Sequence, residues 1–136
     1  MIFRFILRLC RPIIFPLFWT LLVIVLLCIP GSAIPEDGPI FSLPNFDKLV
    51  HICLFGGLSL FWGVYLFRRN QLSSAKRTNS FIFAAAGSIA LGIVLEFVQL
   101  YLSNGRSFDP VDMLADSAGA LLLMAYLFGR YKAGKI

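Results

Sequence analysis

The chain has 136 residues, of which 12 are basic and 7 acidic for a formal net charge of +5, and 59% are hydrophobic against 14% charged. An ordinary soluble domain is roughly 45–50% apolar and about 25% charged; together with a mean hydropathy of +0.85 this excludes a disordered chain, a coiled coil, a collagen-like fibre and a soluble multi-substrate enzyme. The length holds a single domain, 1–136, and the composition points to a small integral membrane protein.

Four apolar stretches, 13–29, 49–67, 81–102 and 111–129, run roughly 25 to 33 Å at about 1.5 Å per residue, close to the hydrocarbon thickness of a bilayer. They predict an all-α protein with four transmembrane helices. The first starts after Pro12, carries Pro16 as an early kink and stops at Pro30-Gly31, a breaker pair. The loop that follows, 31–48, holds Pro35, Pro39 and Pro44, the acids Glu36 and Asp37, and the apolar Ile40 and Phe41. Residues 68–80 read as a basic connection, 103–110 link the last two helices, and the tail 130–136 is basic. Arg4, Arg8 and Arg11 ahead of an apolar run, with Gly31-Ser32-Ala33 behind it, also have the order of a signal peptide. The run exceeds the usual core of roughly 7–15 residues, so a retained first helix is expected. Cys10, Cys28 and Cys53 show no C-x-x-C spacing and read as small apolar fillers.

Charge placement sets an orientation. Arg4, Arg8, Arg11, Arg68, Arg69, Lys76, Arg77, Arg130, Lys132 and Lys135 fall on one side of a four-span arrangement, which the positive-inside rule assigns to the cytoplasm, with both termini there. The acids Glu36, Asp37, Asp47, Glu96, Asp109, Asp112 and Asp116 then lie outside or in the outer halves of helices. The basic balance is a topology signal, and no nucleic-acid partner is implied.

Ionisable residues inside a membrane are costly, and their positions carry the most information. Asp47 and His51 share a face of the second helix with Lys48 beside them; Ser88, Gly92, Glu96, Gln99 and Ser103 form a small and polar stripe on the third; Asp112, Asp116 and Gly119 repeat the pattern on the fourth. Counting inward at about 1.5 Å per residue puts Glu96, Asp116 and His51 roughly 9, 8 and 5 Å deep. Arg106, in the last loop, is long enough to reach them. These residues, with Asp109 as a helix start before Pro110, predict one polar cluster open to the extracytoplasmic side. The same residues also suit interhelical glue, with Arg106 paired to Glu96 or Asp112 and with Gly92 and Ala115-x-x-x-Gly119 as close-packing positions. His51 is the one histidine, so a histidine-rich metal site is excluded, and neither metal nor cofactor is predicted.

The pattern Asp47-Lys48-x-x-His51, Glu96-x-x-Gln99, then Gly105-Arg106-x-x-Asp109-x-x-Asp112 followed by Gly119 resembles the VanZ-like family of bacterial membrane proteins over about 46–128. Where that family commonly has Asn four residues after the last Asp of the arginine motif, this chain has Asp116. The resemblance implies a multi-pass protein of the bacterial cytoplasmic membrane. Its namesake is associated with low-level teicoplanin resistance, and the family has no settled biochemical activity.

Two functions follow as expectations. In one, the chain binds an amphiphile or membrane lipid at the outer leaflet, with Arg106 and Lys48 meeting an anionic headgroup and Glu96, Gln99 and Asp112 holding the arginine. In the other, it is an enzyme on a lipid-linked substrate, with His51 as general acid or base, Asp47 orienting it and Glu96 as the partner carboxyl. Against the second stands the nucleophile: Ser59 and Ser88 lie deeper, leaving Ser103, Ser107 and water. No G-x-S-x-G, H-E-x-x-H or phosphate-binding glycine loop occurs. A transporter is disfavoured because the polar groups do not cross the bilayer.

Overall fold

The computed structural model describes residues 12–29, 45–69, 74–102 and 108–135. They form four helices: α1 (Ile14–Leu27), α2 (Phe46–Arg69), α3 (Ser74–Leu102) and α4 (Pro110–Lys132). Three of them, α2, α3 and α4, are long and apolar enough to cross a membrane, so the architecture is that of an all-α, multi-pass membrane protein. The 14 residues of α1 span only about 21 Å at 1.5 Å per residue, less than the apolar stretch 13–29 promised.

The other helices outrun their apolar stretches. Residues 68–80, expected as a connection, belong largely to helix: α2 continues through Arg69 and α3 begins at Ser74. Apolar periodicity registers only the part of a helix that meets lipid, whereas the backbone ladder continues wherever nothing breaks it. Ser80, for example, is buried and donates its hydroxyl to the Lys76 carbonyl at 3.0 Å within the polar first turns of α3. At the opposite end, α2 starts after Asn45, whose φ of 61° is a left-handed value that asparagine tolerates better than most residues. The start of α4 is built as expected: Asp109 caps it, accepting from the Val111 N–H at 2.9 Å, and Pro110 occupies the first turn.

Helix α2 is the centre of the bundle, packed most extensively on α4 and then on α3, while α1 leans mainly on α2. Lipid is as apolar as leucine, so these contacts gain little from hydrophobic burial and depend on close packing and internal hydrogen bonds. At Gly119 a Cβ would stand 2.3 Å from the Ile52 carbonyl oxygen, so the absence of a side chain there sets how near α2 and α4 approach. Two apolar layers complete the core. Val23, Leu27, Leu54, Phe55, Leu58 and Leu95 join α1, α2 and α3, and Val64, Phe67, Phe81 and Leu127 join α2, α3 and α4. Outward-facing Phe83 and Leu114, 68% and 69% exposed, are the surface that suits lipid. Cys28, just past the end of α1, and Cys53, on the outer face of α2, are exposed free thiols; Cys10 lies outside the described residues.

Candidate functional site

The first turn of α2, the C-terminal third of α3 and the first two turns of α4 meet at one end of the bundle. The Lys48 ammonium sits at their junction, 2.8 Å from Asp47 Oδ2, 2.5 Å from Asp109 Oδ2 and 2.6 Å from Asp112 Oδ1. One turn further in, His51 Nδ1 lies 2.8 Å from Asp116 Oδ1, while its Nε2 faces Asp112 Oδ2 at 3.9 Å. With Asp116 ionised, Nδ1 donates and Nε2 is left as the basic nitrogen. The ring stacks along Phe55 at 6.4 Å between centroids, giving the imidazole an apolar wall on one side and carboxylates on the other. Glu96 completes the group from α3, its Oε1 accepting the Asp109 backbone N–H at 2.6 Å.

Burial grades this network. Glu96 and Asp116 are each 2% exposed and His51 5%, and both rim acids, Asp47 and Asp109, are more open than Lys48 between them. The Lys48 ammonium beside Asp109, helped by the Val111 N–H, holds the Asp109 carboxyl below the usual carboxylate range. Gly92 of α3 makes the approach of Asp116 possible: a Cβ there would meet Asp116 Oδ2 at 2.7 Å. Gly92 of the stripe on α3 therefore makes room for the acid of α4.

Several sequence expectations are corrected by this geometry. Asp47 does not orient His51; its carboxylate turns outward to Lys48, and Asp116 of α4 takes that place. Sharing a helix face put Asp47 one turn from His51, but a side chain at the open mouth gains more from the adjacent ammonium. Lys48 is no open receptor for an anionic headgroup, because three carboxylates already surround it. The Gln99 amide donates to the Leu27 carbonyl at 2.8 Å and so ties the end of α1 to α3, a contact the sequence did not indicate. Arg106, Ser103 and Ser107 lie outside the described residues, so the expected partnership of Arg106 with Glu96, Gln99 and Asp112 falls there too. Ser88 donates to the Ala84 carbonyl at 2.8 Å, a bond within its own helix.

A second polar chain escaped the reading of the sequence. Trp19 Nε1 donates to the Leu54 carbonyl at 2.9 Å, and Trp62 Nε1 donates to Thr20 Oγ1 at 3.0 Å, whose own hydroxyl reaches the Pro16 carbonyl at 2.7 Å. Its available signal was Gly57 in the middle of an apolar helix, since a Cβ at Gly57 would press into the Trp19 indole at 2.6 Å. Among the described residues no group of three or more His, Cys, Asp or Glu is arranged as a metal site. Comparison with protein-family models, curated proteins and solved structures finds no match.

Proposed function

We propose that this chain is a VanZ-like, four-span protein of the bacterial cytoplasmic membrane, with both termini in the cytoplasm, that holds the polar head of an amphiphile in the acid-rich cluster at the outer end of the bundle. The observation that carries this reading is the convergence of Lys48, His51, Glu96, Asp109, Asp112 and Asp116 from three apolar helices on one end. Five carboxyls with Asp47, against one ammonium and one imidazole, favour a headgroup that offers hydrogen-bond donors, such as hydroxyls or an amine, over a bare anion. Exposed apolar residues beside the cluster, Val111 and Leu114 of α4 and Leu49 of α2, give an acyl or prenyl chain a surface to follow. The span assigned to the first apolar stretch rests on its composition, and the orientation on the separation of basic and acidic ends.

One observation favours a second reading, an enzyme on a lipid-linked envelope substrate. An imidazole whose Nδ1 is held by a buried carboxylate at 2.8 Å, with Nε2 turned toward the cluster, is the arrangement a general base requires. The experiment compares wild type with Glu96→Gln, His51→Gln and Arg106→Ala at matched membrane abundance in a null strain, by mass spectrometry of co-purifying lipids and of lipid-linked precursors. A lipid that co-purifies with wild type and is lost from the variants supports binding. A covalent species made by wild type alone establishes catalysis; a wild-type lipid complement equal to the bulk membrane overturns binding, and lipid-linked precursors identical in wild type and variants overturn catalysis.

A further inference from the structure

The cradle around Lys48 is shaped for an ammonium. Three carboxylate oxygens, from Asp47 of α2 and from Asp109 and Asp112 at the start of α4, stand 2.8, 2.5 and 2.6 Å from Nζ. An ammonium has three N–H donors, and the cradle offers one charged acceptor to each. A fourth acceptor lies deeper in the same wall. His51 is 5% exposed and its Nδ1 is taken by Asp116; its Nε2 makes no hydrogen bond among the described residues, the facing Asp112 Oδ2 being 3.9 Å away. A buried ring nitrogen left in this way points to a donor that the described side chains do not supply.

Lys48 enters the cradle from its edge. Its side chain is 19% exposed, between Asp47 at 62% and Asp109 at 34%, so the ammonium lies at the mouth on a flexible four-carbon stem. Withdrawing it would strand the Asp112 carboxylate, whose side chain is 16% exposed, unless another cation took its place. Exchange of one ammonium for another leaves the charge of the cradle unchanged. Leu49 follows Lys48, and Val111 and Leu114 bracket Asp112. All three are exposed, by 55%, 52% and 69%, and form an apolar wall that suits an ammonium attached to hydrocarbon.

Resting on the reading of this cluster as a headgroup site, we propose that Lys48 is a built-in stand-in for the ligand. Its ammonium occupies the place of the primary amine of an aminophospholipid, which enters the cradle as Lys48 turns out to meet the phosphate of the same headgroup. Contact at 2.5 to 2.8 Å excludes a quaternary ammonium, whose methyl groups offer no N–H and hold its nitrogen further from the oxygens. The site therefore selects a phosphoethanolamine head over a phosphocholine head, and Lys48 keeps the acids neutralised between ligands.

The test is native mass spectrometry of the full chain released from detergent with phosphatidylethanolamine, phosphatidylcholine or phosphatidylglycerol of the same acyl chains. Wild type should prefer phosphatidylethanolamine to phosphatidylcholine by on the order of tenfold or more, and Asp109→Asn/Asp112→Asn should lose that preference. In a thermal melt, Lys48→Met should be stabilised by millimolar propylammonium and not by propyltrimethylammonium, whereas wild type responds to neither. Equal retention of the ethanolamine and choline lipids by wild type, or preference for phosphatidylglycerol, overturns the amine assignment while the headgroup site stands; retention of none of the three overturns both. Undiminished preference in the Asn variant overturns the assignment to the cradle, and a Lys48→Met chain indifferent to propylammonium overturns the stand-in role. Displacement of the lipid by soluble phosphoethanolamine at equal concentration overturns the assignment to a lipid.

Discussion

Asp116 is the residue on which the cluster turns. Its carboxylate accepts from His51 in a volume cleared by Gly92, and an asparagine carbonyl would occupy the same position and accept the same bond. Asp116→Asn should therefore fold and melt within a few degrees of wild type. Asp116→Leu leaves the buried imidazole without an acceptor and should cost about 1–3 kcal/mol, measured as a lowered midpoint in a detergent thermal melt. Asp109 adds a pH dependence of definite sign. Its folded pKa lies below the usual value because Lys48 and the Val111 N–H favour the charged form, so its contribution is complete above the ordinary carboxylate pKa of about 4 and is lost as pH falls through the folded value. The melting difference between wild type and Asp109→Asn should be present at pH 7 and shrink below about pH 4.

Among the elements, α2 and α4 are held by proximity and α1 by a few directed bonds. Gly119→Ala drives a methyl into the Ile52 carbonyl and must separate two backbones, an effect of about 3 kcal/mol at the upper end for overpacking. Gly87, with open space where its Cβ would stand, supplies the contrast: Gly87→Ala should be neutral or stabilise by up to about 1 kcal/mol through helix propensity. Helix α1 is tied by Trp19 to the Leu54 carbonyl and by Gln99 to its own Leu27 carbonyl. Gln99→Leu should accelerate hydrogen exchange in the last turn of α1 while leaving α2 and α4 at wild-type protection. Uniform acceleration across all four helices would show instead that Gln99 supports the whole bundle.

At the scale of the molecule, charge is divided along the bundle axis: described acids and Lys48 at one end, the remaining described cations at the other. The proposed orientation predicts the labelling of thiols in intact cells. Cys28, exposed at the end of α1 nearest the acid cluster, should react with a membrane-impermeant maleimide added from outside. A reporter at Lys135→Cys, beyond the basic end of α4, should react only after the membrane is opened. The reverse pattern would invert the bundle and place the acid cluster in the cytoplasm.

Composition and hydropathy were enough to determine an all-α chain with several long apolar helices, because a lipid-facing helix must be apolar over a length set by the bilayer. The meeting of His51, Glu96 and Asp116 at one end of the bundle was also legible, since position along a helix follows from rise per residue alone. Which acid meets the imidazole was decided only by tertiary structure. Helical spacing relates Asp47 to His51 within one helix, but the pairing with Asp116 depends on the rotation of α4 against α2, which is set by Gly119 lying on the Ile52 carbonyl and by the space at Gly92. For the same reason Lys48 emerged as a hub and Gln99 as an anchor for α1: each bond joins residues 61 and 72 positions apart, respectively, and no local pattern carries information over such distances.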